Sequence, residues 1–322
     1  MFTEAELDDA HRLVARYMMP TPAHDWPLLA QALGSQVIVK HENHAPTGAF
    51  KVRGGITFMD WLKRNHPRMQ GIVTATRGNH GQSQARAATA MGLRAKIFVP
   101  HGNSTEKNAA MRAFGAELVE HGADFDEARE AAMRAAETEP LFPVPPFHTE
   151  LVRGVATYGL ELFRAHPDLD VVYVPVGCGS GLCGTLAARD ALGLSTEIVG
   201  VVSDQAAGAK LSVEAGHLVE TNAADTFADG MAVRVPVGEA FDIYSEKAHH
   251  IEAVSDAEIA DAIRLYYTAT HNLAEGAGAA ALALALREKD RLEGRKVGVV
   301  LSGGNIDMGW FRTLLAGGVP GV

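Results

Sequence analysis

Short β-branched runs alternate with longer stretches of helical period along most of the chain, and this limits the fold more than any other feature. Gly71 to Ala75, Ala95 to Pro100, Glu117 to His121, Val171 to Val176, Glu197 to Val202 and Lys296 to Leu301 read as strands. The helical stretches between and around them are Asn79 to Met91, Thr105 to Phe114, Asp124 to Ala136, Leu151 to Ala165, Leu182 to Leu192, Ala206 to Ala215, Asp256 to Thr270 and Gly276 to Arg287. Alternation of this kind requires crossover connections. The expectation is an α/β protein with parallel sheets and helices on both faces.

Ahead of this region, Thr3 and Glu6 form a capping box before Leu7, Ala10, Leu13, Val14 and Tyr17, a first helix that should stop at Pro20. A short helix from Trp26 to Leu33 ends at Gly34, and Val37 to Glu42 reads as a strand. The proline-rich Pro140 to Phe147 is read as mostly connection, the region after Ala215 as a long loop, and Val319 to Val322 as a frayed end.

Composition removes several function classes. The chain has 322 residues, enough for two domains, with 29 Lys plus Arg against 39 Asp plus Glu and a formal charge of -10. With no basic run, neither nucleic acid nor an anionic membrane is an expected partner. Both cysteines, Cys178 and Cys183, lie in one glycine-rich segment without a second Cys/His cluster, so no zinc site is expected. The acidic N-terminus and the lack of an apolar run of about 20 residues point to the cytoplasm.

Four segments carry candidate chemistry. In APTGAFKVRGG, Ala45 to Gly55, Lys51 follows a glycine turn and opens a helix, where the dipole disfavours an ammonium and suits an amine nucleophile. A solvated surface lysine is the bland alternative. PVGCGSGLCG, Pro175 to Gly184, joins a strand to a helix and can turn successive backbone N–H groups toward a phosphate. A dinucleotide is the weaker guest, because Glu197 begins a strand where the ribose-binding acid should end one. TRGNHGQS, Thr76 to Ser83, offers donors for a carboxylate, or merely an asparagine cap. LSGGNID places Ser302 at the end of the last strand, facing a ligand or simply turning the chain.

In this order and wording the four segments closely resemble the fold type II pyridoxal-phosphate enzymes, specifically the threonine/serine dehydratase and serine racemase group. The likeness runs from about Pro20 to Asp307 and includes TFADGMAVR at Thr226 to Arg234 and VSDAEI at Val254 to Ile259. It implies two open-sheet α/β domains, tryptophan synthase β-like, with pyridoxal 5'-phosphate between them. Residues 71–148 would form a small inserted domain, and residues 1–70 with 149–322 the large cofactor-binding one. By the same resemblance Lys51 would hold the cofactor as a Schiff base and act as base at the substrate Cα, with Phe50 beside the cofactor ring. Asn79 would bond the ring 3-oxygen, the amides of Gly177, Cys178, Gly179, Ser180 and Gly181 the phosphate, and Ser302 the pyridine nitrogen. Thr76, Arg77, Gly78, Asn79 and His80 would take the substrate carboxylate.

A neutral serine at the pyridine nitrogen favours early loss of a β-leaving group over a long-lived carbanion. The implied activity is therefore dehydration and deamination of a β-hydroxy-α-amino acid such as L-threonine, L-serine, 3-hydroxyaspartate or 3-phenylserine, giving a 2-oxo acid and ammonia. A β-replacement synthase, an amino-acid racemase and a non-catalytic relative are the alternatives, and a homodimer is implied.

The sequence departs from the group in three places. Arg77 stands where the racemases carry a serine acid/base, and a guanidinium cannot take that role; it could instead pair with an acidic β-substituent, help bind the α-carboxylate, or bond to protein carboxylates. The usual divalent-cation ligands are replaced by Val202 and Gly208, with Asp204 alone nearby, so no metal is expected there. The group's G-Q-G-T segment reads Gly154-Val155-Ala156-Thr157. The chain ends soon after Asp307, from which no regulatory domain and no feedback control by isoleucine is expected.

Overall fold

The computed structural model describes residues 1–321; Val322, the last of those read as frayed, lies outside them. Helix α1 (Glu4–Val14) begins at the expected capping box, with the Glu6 amide donating to the Thr3 hydroxyl and the Thr3 amide to the Glu6 carboxylate. Strand β1 (Ala23–Asp25), helix α2 (Pro27–Leu33), strand β2 (Gln36–His41) and helix α3 (Lys51–Asn65) follow. Next come β3 (Gly71–Ala75), α4 (Asn79–Ala90), β4 (Arg94–Val99), α5 (Thr105–Ala113), β5 (Glu117–Glu120), α6 (Phe125–Thr138), β6 (Leu141–Pro143) and α7 (Thr149–Ala165). The remainder is β7 (Val171–Pro175), α8 (Ser180–Ala191), β8 (Glu197–Ser203), α9 (Gly208–Ala215), α10 (Gly238–Lys247), β9 (His250–Val254), α11 (Asp256–Thr270), α12 (Gly276–Arg287), β10 (Lys296–Leu301) and α13 (Met308–Leu315).

These strands make two sheets, as the alternation predicts. The larger has the order β1-β2-β10-β7-β8-β9 and is parallel except for β1; the smaller, β5-β4-β3-β6, is parallel throughout. All four strands of the smaller sheet fall between Gly71 and Pro143, in one continuous stretch of chain. Helix α12 packs on one face of the larger sheet, its residues Gly276 to Ala285 all buried with Val171, Tyr173 and Val299. Helices α7 and α8 cover the other face through Val155, Phe163, Leu182 and Leu186. Each fully buried leucine or valine contributes about 1.5–3 kcal/mol. Among the described residues no helix is long and apolar enough to cross a membrane.

One expectation needs correction, and three elements were not foreseen. Pro140 to Phe147 is mostly connection but holds the short strand Leu141–Pro143; Pro143 is tolerated because β6 is at an edge and pairs only with β3. The region after Ala215 contains α10 and β9, and β9 escapes notice because this edge strand buries only Ile251 and Val254. The three residues of β1 carry no apolar pattern and are recruited by antiparallel pairing with β2. Beyond Asp307 the chain forms α13.

Helix α3 is the hinge of the architecture. Its Ile56, Phe58, Met59 and Leu62 share a core with Ile72, Ile97 and Val99 of the smaller sheet. Its first turn instead leans on α7: a Cβ on Gly154 would sit 2.2 Å from the Arg53 carbonyl oxygen, so only glycine permits this approach. Arg53 is wholly buried and grips two carboxylates at once. Its Nε and Nη2 donate to Glu42 at 2.8 and 3.0 Å, its Nη1 and Nη2 donate to Glu161 at 2.7 and 2.8 Å, and Thr157 takes another bond at 3.0 Å. Lys40, also buried, donates to Glu161 at 2.6 Å. Gly154 and Thr157 of the altered G-V-A-T segment thus serve the helix that begins at Lys51.

Candidate active site

Lys51 is the first residue of α3, and the turn before it is stitched to the end of β10. The Phe50 amide donates to the Ser302 carbonyl at 3.0 Å, the Gly304 amide to the Gly48 carbonyl at 2.9 Å, and Ala49 bridges Gly303. Lysine and serine segments some 250 residues apart are therefore held side by side by backbone bonds. Ser83 of α4 donates to the Lys51 carbonyl at 2.6 Å. The Lys51 Nζ lies 5.0 Å from the Phe50 ring centroid and has no hydrogen-bonding or ionic protein partner among the described residues. The Ser302 side chain, only 4% exposed, is equally without a partner among them.

The glycine-rich turn comes next to this pair. Gly179 caps α8 with φ at 94°, a left-handed conformation that glycine adopts without strain. At Gly177 a Cβ would sit 2.2 Å from the Gly230 carbonyl oxygen. Among the described residues no acceptor takes up the amides of Gly177, Cys178, Gly179, Ser180 or Gly181. Five free amides at a helix N-terminus form an anion cradle. Phe50 packs edge-on against Tyr158 at 6.0 Å, and the Tyr158 hydroxyl donates to the Gly181 carbonyl at 2.9 Å, locking lysine turn to glycine turn. Burial pushes the Cys178 thiol up despite the nearby Lys51 charge, so it stays protonated at neutral pH.

Helix α4 starts at Asn79, but the asparagine does not cap it. The helix is preceded by Gly78 with no side-chain cap, and the Asn79 side chain is used elsewhere. Its Nδ2 donates to Glu275 Oε1 at 2.6 Å and its Oδ1 accepts from Asn305 Nδ2 at 2.8 Å. Asn305 also donates to the Thr47 carbonyl at 2.8 Å. In the turn itself the Gly78 amide donates to the Thr76 hydroxyl at 3.1 Å. Burial, with the Lys51 charge beside it, pushes the His80 imidazole down to about 4, and its Nε2 is shut from solvent without a partner. His80 is thus a neutral ring next to the lysine. Arg77 is exposed, and no ion pair joins it to a protein carboxylate among the described residues.

A family model described as "Pyridoxal-phosphate dependent enzyme" matches residues 14–303. The chain belongs to that family. Its cofactor is pyridoxal 5'-phosphate, and the site tests well against it. The phosphate matches the five free amides, the aldehyde the unpaired lysine amine, and the pyridine nitrogen the unpaired Ser302 hydroxyl. The enzyme is 33% identical over 320 residues to the L-threonine ammonia-lyase of Thermotoga maritima, across 99% of this chain and 79% of that one. It is 29% identical over 316 residues to the L-threo-3-hydroxyaspartate ammonia-lyase of Saccharomyces cerevisiae, across 98% and 97%. Its structure matches the processed form of threonine deaminase isoform 2 from Solanum lycopersicum with a TM-score of 0.89 at 29% identity, covering 98% and 94%.

Sequence reasoning missed three residues of the site wall. Glu275 is buried, and burial raises its carboxyl above the ordinary range against the pull of Lys107 and Lys51. Asn305 and Lys107 complete the set. The one sequence sign of Glu275 is a lone carboxylate opening GAGAAALALAL, a helix otherwise made of small apolar residues.

Proposed function

We propose that this enzyme deaminates a small β-hydroxy-α-amino acid, such as L-threonine, L-serine, 3-hydroxyaspartate or 3-phenylserine, by β-elimination. Water leaves the β-carbon, another water hydrolyses the nitrogen-bearing product, and the net yield is a 2-oxo acid and ammonia. When bound, pyridoxal phosphate supplies the electron sink that stabilises negative charge at the α-carbon. Lys51 carries the cofactor and, once freed by substrate, takes the α-proton with its amine. The Gly177 to Gly181 amides hold the phosphate, Asn79 the ring 3-oxygen, and Thr76 to His80 the substrate carboxylate. A guanidinium at position 77 is no acid/base for the opposite face of the α-carbon, which argues against racemisation.

The observation that supports this reading is Ser302, a buried neutral hydroxyl whose backbone carbonyl takes the Phe50 amide beside the lysine turn; in this proposal it meets the pyridine nitrogen, where an acid would instead hold a proton. Bringing no charge, it leaves negative charge at the α-carbon short-lived and favours departure of the β-group. Residues 71–148 form the small domain, closing over substrate against 1–70 and 149–322 and excluding water. A homodimer in the cytoplasm completes the reading and rests on the resemblance alone, and no metal is assigned near Val202 and Gly208. The test is a panel of these four amino acids given to enzyme whose lysine-bound cofactor absorbs in the visible range. Release of 2-oxo acid supports elimination; capture by an added thiol without release points to β-replacement. Borohydride reduction followed by peptide mapping must place the cofactor on Lys51.

A further inference from the structure

The first turn of α5, in the smaller sheet's unit, is clasped to two segments of the larger one. Ser104, the cap of α5, accepts from the Lys107 amide at 3.1 Å and donates its hydroxyl to Asp307 at 2.7 Å. Glu106 accepts from the Met308 amide at 3.0 Å, capping α13, whose own Asp307 makes no cap. The N-termini of two helices thus meet with carboxylates between them, an arrangement that offsets the repulsion of their positive ends.

Lys107 is the centre of the clasp. It is 6% exposed and pairs with Asp229, next to Gly230, whose carbonyl lies against Gly177 of the phosphate turn. Its Nζ is 5.8 Å from the Trp310 ring centroid on α13. The lysine stem runs along the substrate turn: a Cβ on Gly78 would be 2.9 Å from Lys107 Cδ. Burial works against the charge, but Asp229 and Glu275 outweigh it and hold the ammonium above its ordinary value. One side chain therefore touches the substrate turn, the segment behind the phosphate turn and α13.

We propose that Lys107 is a positioning residue that couples closure of the smaller unit to the shape of the Thr76 to His80 turn. The substrate-binding role of that turn rests on the function proposed above; the clasp does not. With Lys107 paired to Asp229, α5 is drawn onto the larger unit and the stem fixes Gly78 from below. Without the pair, the turn keeps its residues and loses its support.

The test uses holoenzyme of wild type, K107M, K107R and D229N, each checked for cofactor absorption. Hydrogen exchange without amino acid should be faster in K107M and D229N in the first turns of α5 and α13 and over residues 76–83, with cofactor absorption as in wild type. KM for the best amino acid of the panel should rise at least about tenfold in K107M with a smaller change in kcat, because the ground-state fit of the carboxylate is lost. K107R, which keeps the charge and the stem, should recover most of both. Wild-type exchange in K107M at α13 and over residues 76–83, or a fall in kcat with KM unchanged, overturns the proposal. Because exchange is read without substrate, it decides the clasp even if no hydroxyamino acid is turned over.

Discussion

Replacing Arg53 tests whether the buried ion cluster fixes the helix that presents Lys51. Arg53 makes six hydrogen bonds, two each to Glu42 and Glu161 in fork geometry and one each to Thr157 and Thr21. R53M leaves the buried Glu42 and the largely buried Glu161 facing Lys40, with His11 at 3.4 Å from Glu161, and removal of one partner from a buried pair costs about 3–5 kcal/mol. That is a large fraction of a net stability of about 5–15 kcal/mol. R53K keeps a charge but presents a point donor that cannot grip both carboxylates, so a loss of about 1–3 kcal/mol is expected. Urea unfolding measures both, with the cofactor affinity of each variant titrated separately so that its contribution to the folded state can be subtracted. The pH dependence supplies a second check. Burial opposes the Glu161 charge, yet His11, Arg53 and Lys40 outweigh it and hold the carboxyl well below its ordinary range. A folded-state pKa lowered in this way gives stability that is present above the ordinary carboxylate range and lost as pH falls. In R53M the orphaned carboxylates can take up protons, so the gap to wild type should narrow below about pH 4.5. Equal urea midpoints at pH 7, or a gap that does not change on acidification, would refute the reasoning.

Three further outcomes are expected. G179A forces an alanine to φ 94° with its Cβ 2.6 Å from that of Ala240. It should cost about 2–4 kcal/mol in urea unfolding and weaken cofactor binding in an absorbance titration. His80 and His41 are pushed below the ordinary histidine value of 6.5, to about 4 and about 3, chiefly by burial. The unfolded chain then binds more protons below pH 6.5, so stability is full above that pH and falls by about 2 kcal/mol per histidine between pH 7 and 5. H80Q should flatten the measured slope by one histidine's share. R77A should weaken turnover of 3-hydroxyaspartate more than that of L-threonine if the exposed guanidinium meets an acidic β-substituent; equal losses on every amino acid would remove that selectivity role.

Much of this organisation was legible in the sequence because it is local. The parallel sheets follow from the strand and helix alternation, and Lys51, Asn79 and the PVGCGSGLCG turn each sit at the strand-to-helix junction that their glycines announce. What could not be read depends on partners distant in sequence. Glu275 matters because Asn79, 196 residues away, donates to it, and Lys107 matters because Asp229, 122 residues away, answers its charge. Nothing local distinguishes Lys107 from an ordinary surface charge, and the only local sign of Glu275 is its place before an apolar helix. Likewise β1, β6 and β9 are edge strands, formed by pairing with a neighbour that their own patterns do not reveal.

The most direct test of the central claim compares wild type and K51A, both supplied with pyridoxal phosphate, for release of 2-oxo acid and ammonia from the hydroxyamino acid panel. Wild type should release the two products in equal amounts from at least one of the four, and K51A neither above the uncatalysed rate. A wild type that carries its cofactor on Lys51 and releases no 2-oxo acid from any of them, or a K51A variant that matches it, would contradict the account.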